Sequence, residues 1–101
     1  MKPKIVSWNI CWLNEANKRL RVRDLLQEWK ADIVCLQETK LKLIDRKIVR
    51  SLWRGSHVDW SFLASNGASG GVVVMWDRLV VEKVEDCIGQ YSVACSFKCL
   101  R

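Results

Sequence analysis

The sequence of 101 residues has no long hydrophobic run, a single histidine and no Cys-x-x-Cys pair. Its longest uninterrupted apolar run covers residues 72–76, whereas a membrane-spanning helix needs roughly 18 to 20 residues. The N-terminus also lacks the apolar segment and the small-residue cleavage site of a signal peptide. We therefore expect an intracellular protein, nuclear or cytoplasmic and not secreted, that has no membrane partner.

The five cysteines, at positions 11, 35, 87, 95 and 99, form no metal-ligand grouping. A structural zinc site needs closely spaced pairs of cysteine or histidine, and the spacing of Cys95 and Cys99 matches this poorly. Free cysteine is among the most buried residue types. We expect reduced, partly buried thiols, and a loop or surface position for the one histidine, His57.

Positive charge is in excess. Lysine and arginine number 17 against 11 acidic residues, which gives a net charge of +6 and suits a polyanionic partner. One short segment is strongly basic, with Lys18, Arg19, Arg21 and Arg23. This segment is either a solvated helix face or a direct contact with nucleic acid.

The six tryptophans are numerous for a chain of this size. Four lie in apolar patterns and are expected in the core rather than as base-stacking platforms: Trp8, Trp29, Trp60 and Trp76. Trp12 and Trp53 fit no clear pattern and could flank a groove.

The first third of the chain predicts a strand, a helix and a second strand. Residues 5–8 are apolar and β-rich, and residues 18–30 carry an apolar face at helical spacing, formed by Val22, Leu25, Leu26 and Trp29. Asn14 or Asn17 is available as the helix N-cap. The second strand covers residues 33–37 and should be buried on both faces. A unit of this size is typical of a βαβ crossover, which predicts parallel strands.

The rest of the chain predicts one more helix and then short strands. Residues 41–52 have apolar residues at helical spacing, with Asp45 near the start. Apolar or alternating runs predict strands at 58–63, 72–76, 79–84 and 91–97, in an antiparallel arrangement. A flexible turn is expected at 65–71, so Gly70 and Gly71 are interpreted as turn residues rather than as a phosphate cradle.

Polar residues follow the two predicted parallel strands. Asn9 ends the first strand and Glu38 follows the second, so both should lie at one edge of the sheet, where sites in such folds gather. Carboxylate and amide oxygens suit Mg²⁺, which often takes only one or two protein ligands beside water and phosphate. Lys40 offers a positive partner for Glu38. Taken alone, Glu38 is also consistent with an ordinary surface carboxylate.

Two segments carry a family resemblance: Ile5-Val6-Ser7-Trp8-Asn9-Ile10 and Asp32-Ile33-Val34-Cys35-Leu36-Gln37-Glu38-Thr39-Lys40. Together they resemble the opening of the endonuclease/exonuclease/phosphatase (DNase I-like) superfamily, which includes apurinic/apyrimidinic endonucleases. The later segments 68–77 and 91–93 resemble its LINE-type retrotransposon branch. The resemblance covers essentially the whole chain. It implies an α/β fold, the N-terminal part of a two-sheet α/β sandwich with helices on the outer faces.

The same resemblance implies a chemistry, the Mg²⁺-dependent cleavage of phosphoester bonds, with Mn²⁺ as an alternative ion and DNA as the partner. Glu38 matches the metal-binding glutamate of the family. Asn9 matches the asparagine beside the metal and the phosphate, and Lys40 matches a lysine that neighbours the glutamate. The resemblance leaves the oligomeric state open.

The sequence departs from the family pattern in two respects. Cys11-Trp12 stands where the family usually has Arg-Gly, and a bulky Trp12 could distort the loop that carries Asn9. The chain also contains no Asp-x-Asn or Ser-Asp-His segment, and His57 comes too early to be the family's histidine. We therefore expect residues 1–101 to be the N-terminal portion of the domain, without its C-terminal catalytic half and inactive alone. The alternatives are a non-catalytic remnant that binds nucleic acid or protein, and a phosphatase relative.

Overall fold

A computed structural model of the chain describes residues 3–11, 13, 15–66, 69–88 and 93–100, but not the side chains of 66, 69, 85–88 and 93–96. Its elements are, in order, β1 (Ile5–Asn9), α1 (Ala16–Glu28), β2 (Ile33–Gln37), α2 (Arg46–Leu52), β3 (Val58–Asn66), β4 (Ser69–Asp77), β5 (Val81–Ile88) and β6 (Val93–Cys99). Neither helix in these ranges has the length and apolar character needed to cross a membrane.

The strands form two sheets. The larger sheet has the order β1-β2-β4-β3, and β5 pairs with β6 in the smaller one. β1 and β2 are parallel, with Asn9 opposite Gln37, so the predicted βαβ crossover is confirmed. The β2–β4, β3–β4 and β5–β6 pairs are antiparallel, as expected for the second half of the chain. The fold is therefore a mixed α/β arrangement of two sheets with helices on an outer face, as predicted.

The two faces of β2 bury side chains in two different apolar layers. Alternate residues of a strand point to opposite faces of its sheet, so Val34 and Leu36 join the layer beneath α1 and α2, whereas Ile33 faces the smaller sheet. The second layer is closed by Trp76, whose ring centroid lies 5.2 Å from that of Phe97 in β6. Burial of this strand on both faces explains its near-continuous apolar sequence.

Helix α1 runs from Ala16 to Glu28, two residues earlier than predicted at each end. Val22 and Leu26 are buried, while Leu25 and Trp29 are half-buried, which confirms the predicted apolar face. The N-cap is Glu15, which makes no side-chain cap hydrogen bond. The choice of Asn17 as N-cap was wrong because Asn17 lies inside the first turn, and Asn14 lies outside the described residues.

The basic segment of α1 was only partly a solvated face. Lys18 Nζ donates to the Ile10 carbonyl at 3.0 Å, and Arg19 Nη1 donates to the Leu13 carbonyl at 2.9 Å. Arg19 Nε also donates to Ser51 Oγ of α2 at 3.1 Å. These two side chains therefore hold the loop after β1 and the second helix against α1.

Helix α2 is shorter than predicted, since residues 41–45 are not helical. Asp45 is the N-cap and accepts a hydrogen bond from the Ile48 amide at 2.9 Å, which fixes the helix start. Ahead of it, Leu41 is buried and its carbonyl accepts from the Ser65 amide at 2.8 Å. This bond holds residue 41 against β3 and outside the helix.

The turn predicted at 65–71 was too long. β3 continues to Asn66 and β4 begins at Ser69, with Ser65 opposite Gly70, so Gly70 and Gly71 are strand residues. β5 begins at Val81 rather than at 79, because the amides of Leu79 and Val80 both donate to Asp77, at 2.8 and 3.1 Å. β6 ends two residues later than predicted, and Tyr91 lies outside the described residues.

The tryptophan predictions hold where the structure describes them. Trp76 is buried, and Trp8, Trp29 and Trp60 pack half-buried against the core; Trp12 lies outside the described residues. Three cysteines lie among the residues whose side chains are described: Cys35 is half-buried, and Cys11 and Cys99 are exposed. The expectation of partly buried thiols was therefore wrong for the latter two. His57 is exposed, as predicted.

Candidate metal and phosphate site

The carboxyl ends of β1 and β2 are held side by side. Asn9 is the last residue of β1 and lies opposite Gln37, and the Ile10 amide donates to the Gln37 carbonyl at 2.9 Å. The Asn9 side chain is exposed, and its Oδ1 accepts from the Cys11 thiol at 3.4 Å. Because β1 and β2 are parallel neighbours, about 4.8 Å apart, Glu38, the residue after Gln37, lies at the same edge of the sheet as Asn9.

Glu38 leaves β2 in a left-handed conformation, with φ of 56°. This value is uncommon for a residue with a side chain, and such backbone geometry is frequent at functional sites. The side chain is half-buried, and its Oε2 accepts from the Gly70 amide at 3.2 Å. The carboxylate is therefore oriented by the main chain of β4, one strand further into the sheet.

The segment after Glu38 is anchored on β4. The amides of Thr39 and Lys40 donate to the carbonyls of Gly71 and Gly70, each at 3.0 Å. Thr39 is fully buried, its Oγ1 accepts from the Leu41 amide at 3.3 Å, and its carbonyl accepts from Leu13 at 3.0 Å. Lys40, the third predicted site residue, is half-buried with φ of 59°. Its backbone thus belongs to the same tight corner as Glu38.

Gly70 and Gly71 are the residues that the sequence interpretation missed. Both have positive φ, 83° and 92°, although both lie in a strand. The signal that could have identified them is a glycine pair placed directly before a buried apolar run, because glycine inside a strand often marks a close approach of two backbones.

The oxygen donors at this edge fit a hard divalent cation. Glu38 supplies a carboxylate and Asn9 an amide oxygen, while no group of three or more His, Cys, Asp or Glu in the described part of the chain is placed to hold a metal ion. Mg²⁺ is commonly held by one or two protein oxygens together with water and phosphate, whereas a structural zinc site needs a fuller set of ligands. Glu38 and Asn9 are thus the residues that would hold Mg²⁺.

A cavity of about 550 Å³ lies at the other end of the sheet, bordered by Asp32 before β2 and Asp77 at the end of β4. Trp53 lines it, together with Arg23 and Arg54. Trp53 thus borders a hollow, as the sequence interpretation allowed. The whole length of β2 separates this cavity from Glu38, so it is not part of the candidate site.

The fold and this strand-end site define the chain's family. The model of the Endonuclease/Exonuclease/phosphatase family matches residues 6–94, and the chain belongs to this family. The match includes Asn9 and Glu38, all of β2, and β1 from its second residue.

One relative is named for an action on DNA, and two solved structures share the fold. The chain is 34% identical to the exodeoxyribonuclease of Bacillus subtilis (strain 168) over 70 residues, which are 69% of this chain and 27% of that enzyme. It is similar to the crystal structure of the Xenopus laevis APE2 catalytic domain, with 27% identity, a TM-score of 0.57 and coverage of 84% of this chain and 26% of that one. The AP endonuclease LMAP from Leishmania major shares the fold, at 24% identity and a TM-score of 0.51, with coverage of 77% and 25%. The chain therefore spans about a quarter of the length of these relatives.

Proposed function

We propose that this chain forms one wall of a Mg²⁺-dependent site for hydrolysis of phosphodiester bonds in DNA, of the endonuclease type. The observation that carries the proposal is the Glu38 carboxylate, which the Gly70 amide holds directly after β2, at the sheet edge where β1 ends with Asn9. The name of the exodeoxyribonuclease relative supports DNA as the substrate rather than a small phosphate ester. The later strands, which resemble the LINE-type branch, support an origin in a retroelement.

Each site residue has a part in this chemistry. Glu38 and Asn9 would bind the cation, which when bound supplies charge stabilisation at the phosphate or at the leaving oxygen. The Asn9 amide nitrogen is a donor that can hold a phosphate oxygen. Lys40 adds positive charge next to the glutamate, which favours the approach of an anionic substrate.

A general base is the part that these residues do not supply. His57 is exposed and lies just before β3, and the sequence contains no Asp-x-Asn or Ser-Asp-His segment. Hydrolysis needs a group that activates water within hydrogen-bond reach. We therefore propose that residues 1–101 act as the N-terminal portion of a domain and do not cleave DNA by themselves.

A second candidate is a non-catalytic remnant that binds nucleic acid through its basic surface. The net charge of +6 favours it, since lysine and arginine contacts to phosphates supply most of the affinity of sequence-independent binding. The two candidates differ in their dependence on Glu38, because electrostatic binding to a duplex does not need that carboxylate.

The test combines Mn²⁺ binding, nicking of plasmid and abasic-site DNA, and DNA binding at several salt concentrations, for wild type and Glu38→Ala. The proposal expects Mn²⁺ binding that Glu38→Ala abolishes and no nicking by either chain. Equal Mn²⁺ binding by both chains would refute the metal site. Robust nicking that is lost in Glu38→Ala would refute the inactivity of the isolated chain. Salt-dependent DNA binding that survives in Glu38→Ala, without Mn²⁺ binding, would favour the second candidate.

A further inference from the structure

We infer that Gly70 and Gly71 are positioning residues for the metal ligand Glu38. In this arrangement the Gly70 amide fixes one carboxylate oxygen, and Gly71 permits the close approach that places Glu38 there. The inference deepens the proposed function and rests on it, since it assigns to the start of β4 a role in metal affinity.

The first part of the inference rests on the carboxylate. Glu38 Oε2 accepts from the Gly70 amide at 3.2 Å, across 32 positions of sequence. A glutamate side chain has three rotatable bonds, and holding one oxygen leaves the second in a defined position. Outer hydrogen bonds of this kind orient metal ligands and raise metal affinity.

The second part rests on the space around the two glycines. A Cβ at position 71 would lie 2.5 Å from Thr39 Oγ1 and 3.1 Å from the Lys40 nitrogen. A Cβ at position 70 would meet nothing within 4 Å. Position 71 therefore needs glycine both for its φ and for the buried Thr39, whereas position 70 needs it for φ alone. Of the two positions, only at 71 does the lack of a Cβ atom decide how closely the segment after Glu38 approaches β4.

The carbonyl groups of Gly70 and Gly71 also bind the segment that follows Glu38. Thr39 and Lys40, which directly follow Glu38, donate to Gly71 and Gly70 at 3.0 Å each. The main chain after Glu38 and the Glu38 side chain are therefore both fixed to the same dipeptide. If the glycines only stabilised the fold, the contacts of their carbonyls would be enough. The bond from the Gly70 amide to Glu38 is therefore what separates a role in positioning the ligand from a purely structural role.

The experiment removes that single N–H group. Gly70 is replaced by glycolic acid in a chain assembled by chemical ligation, which turns one amide into an ester and leaves the side chains unchanged. The matched control carries the same replacement at Gly55, which is exposed and precedes β3. The readouts are Mn²⁺ affinity by titration with electron paramagnetic resonance, and the Gly70 amide proton shift by NMR in metal-free wild type and Glu38→Ala.

The inference expects the Gly70 ester to remain folded and to bind Mn²⁺ about tenfold more weakly, with the Gly55 ester unchanged. It also expects the Gly70 amide resonance to move upfield in Glu38→Ala without metal. If the Gly70 ester binds Mn²⁺ like wild type while Glu38→Ala does not bind, the inference is refuted and the proposed function stands. If wild type and Glu38→Ala bind Mn²⁺ alike, the proposed function is refuted and the metal role of Gly70 with it. An unmoved Gly70 resonance refutes the positioning contact independently of any metal.

Discussion

The two ends of β2 are built in different ways. The end at Glu38 is a corner of main-chain hydrogen bonds with left-handed residues, namely Cys11, Glu38, Lys40, Gly70 and Gly71. At the other end, only Lys30 among the described residues has a positive φ. Main-chain bonds occur there too, such as that from the Asp77 amide to the Asp32 carbonyl at 2.9 Å. Two half-buried carboxylates add to them, with Asp32 accepting from the Lys4 amide at 2.8 Å and Asp77 accepting from Leu79.

This difference indicates which end is specialised. Backbone in sparsely populated conformations persists only where the surrounding structure imposes it, and it concentrates at functional sites. Surface carboxylates that accept backbone amides are ordinary capping devices. The cavity of about 550 Å³ lies at the end of β2 near Asp32, whereas the candidate ligand Glu38 lies at the end with the left-handed residues, which we call the strained end. The size of a cavity is therefore a poor guide to the site of chemistry here.

The largest change in the free energy of unfolding should come from alanine substitutions at the two glycines. Both introduce backbone strain, but only one also introduces a steric clash. Gly71→Ala should lower the free energy of unfolding by about 3 kcal/mol, from left-handed strain and overpacking against Thr39. Gly70→Ala should lose only about 1–2 kcal/mol, because its Cβ meets open space. Urea unfolding of the two variants measures the difference, and equal losses would contradict the close approach at position 71.

The next effect tests whether the strained end holds a cation. Mn²⁺ at a hundred times its dissociation constant should raise the free energy of unfolding of wild type by about 2.7 kcal/mol. Glu38→Gln keeps the size of the side chain but removes its charge, so this gain should disappear. The matched variant Glu28→Gln, exposed at the end of α1, should keep it. A gain of similar size in Glu38→Gln would place the cation elsewhere.

A smaller effect compares one polar contact at each end. Thr39→Val keeps the buried volume but removes the acceptor of the Leu41 amide, which should cost about 1–2 kcal/mol. Asp32→Ala removes the acceptor of the Lys4 amide at the exposed end, where water can replace it, and should cost about 0.5 kcal/mol. Urea denaturation gives both values. A reversed order would mean that the corner at Glu38 is not the more rigid end.

The smallest effect concerns the rim of the cavity. Arg54→Ala removes an exposed ion pair of 3.7 Å with Asp24 and should change the free energy of unfolding by less than about 0.5 kcal/mol. Mn²⁺ affinity should stay the same, since the length of β2 separates Arg54 from Glu38. A clear loss of Mn²⁺ affinity, measured by the same titration as above, would show that the two ends are coupled.

Much of this fold could be predicted from local patterns. The apolar periodicity of α1 and the buried run of β2 identified a βαβ unit, and the parallel pairing of its strands placed Asn9 and Glu38 at one edge. The two polar residues could be found in this way because strand ends are marked in the sequence by the change from apolar to polar residues.

The supports of the site could not be predicted in the same way. A glycine pair after Ser69 is typical of a turn, and nothing local shows that Thr39 and Lys40 will pair with Gly71 and Gly70, which are 32 and 30 positions away in the sequence. Likewise, Lys18 and Arg19 resemble a solvated face because their acceptors are main-chain carbonyls, which carry no sequence signal. In each case, the contact that could not be predicted is a long-range hydrogen bond to the backbone.

The hydrogen bonds of Lys18 and Arg19 to carbonyl oxygens have a consequence for how DNA affinity depends on salt concentration. Each phosphate neutralised by a cationic side chain steepens the dependence of log affinity on log salt by about 0.9 for duplex DNA. Two members of the basic segment are bonded to the protein's own backbone, and Arg23 pairs with Asp24 at 3.8 Å, whereas Arg21 is exposed to a duplex. DNA bound along α1 should therefore show a shallower salt slope than the four charges of the segment would give.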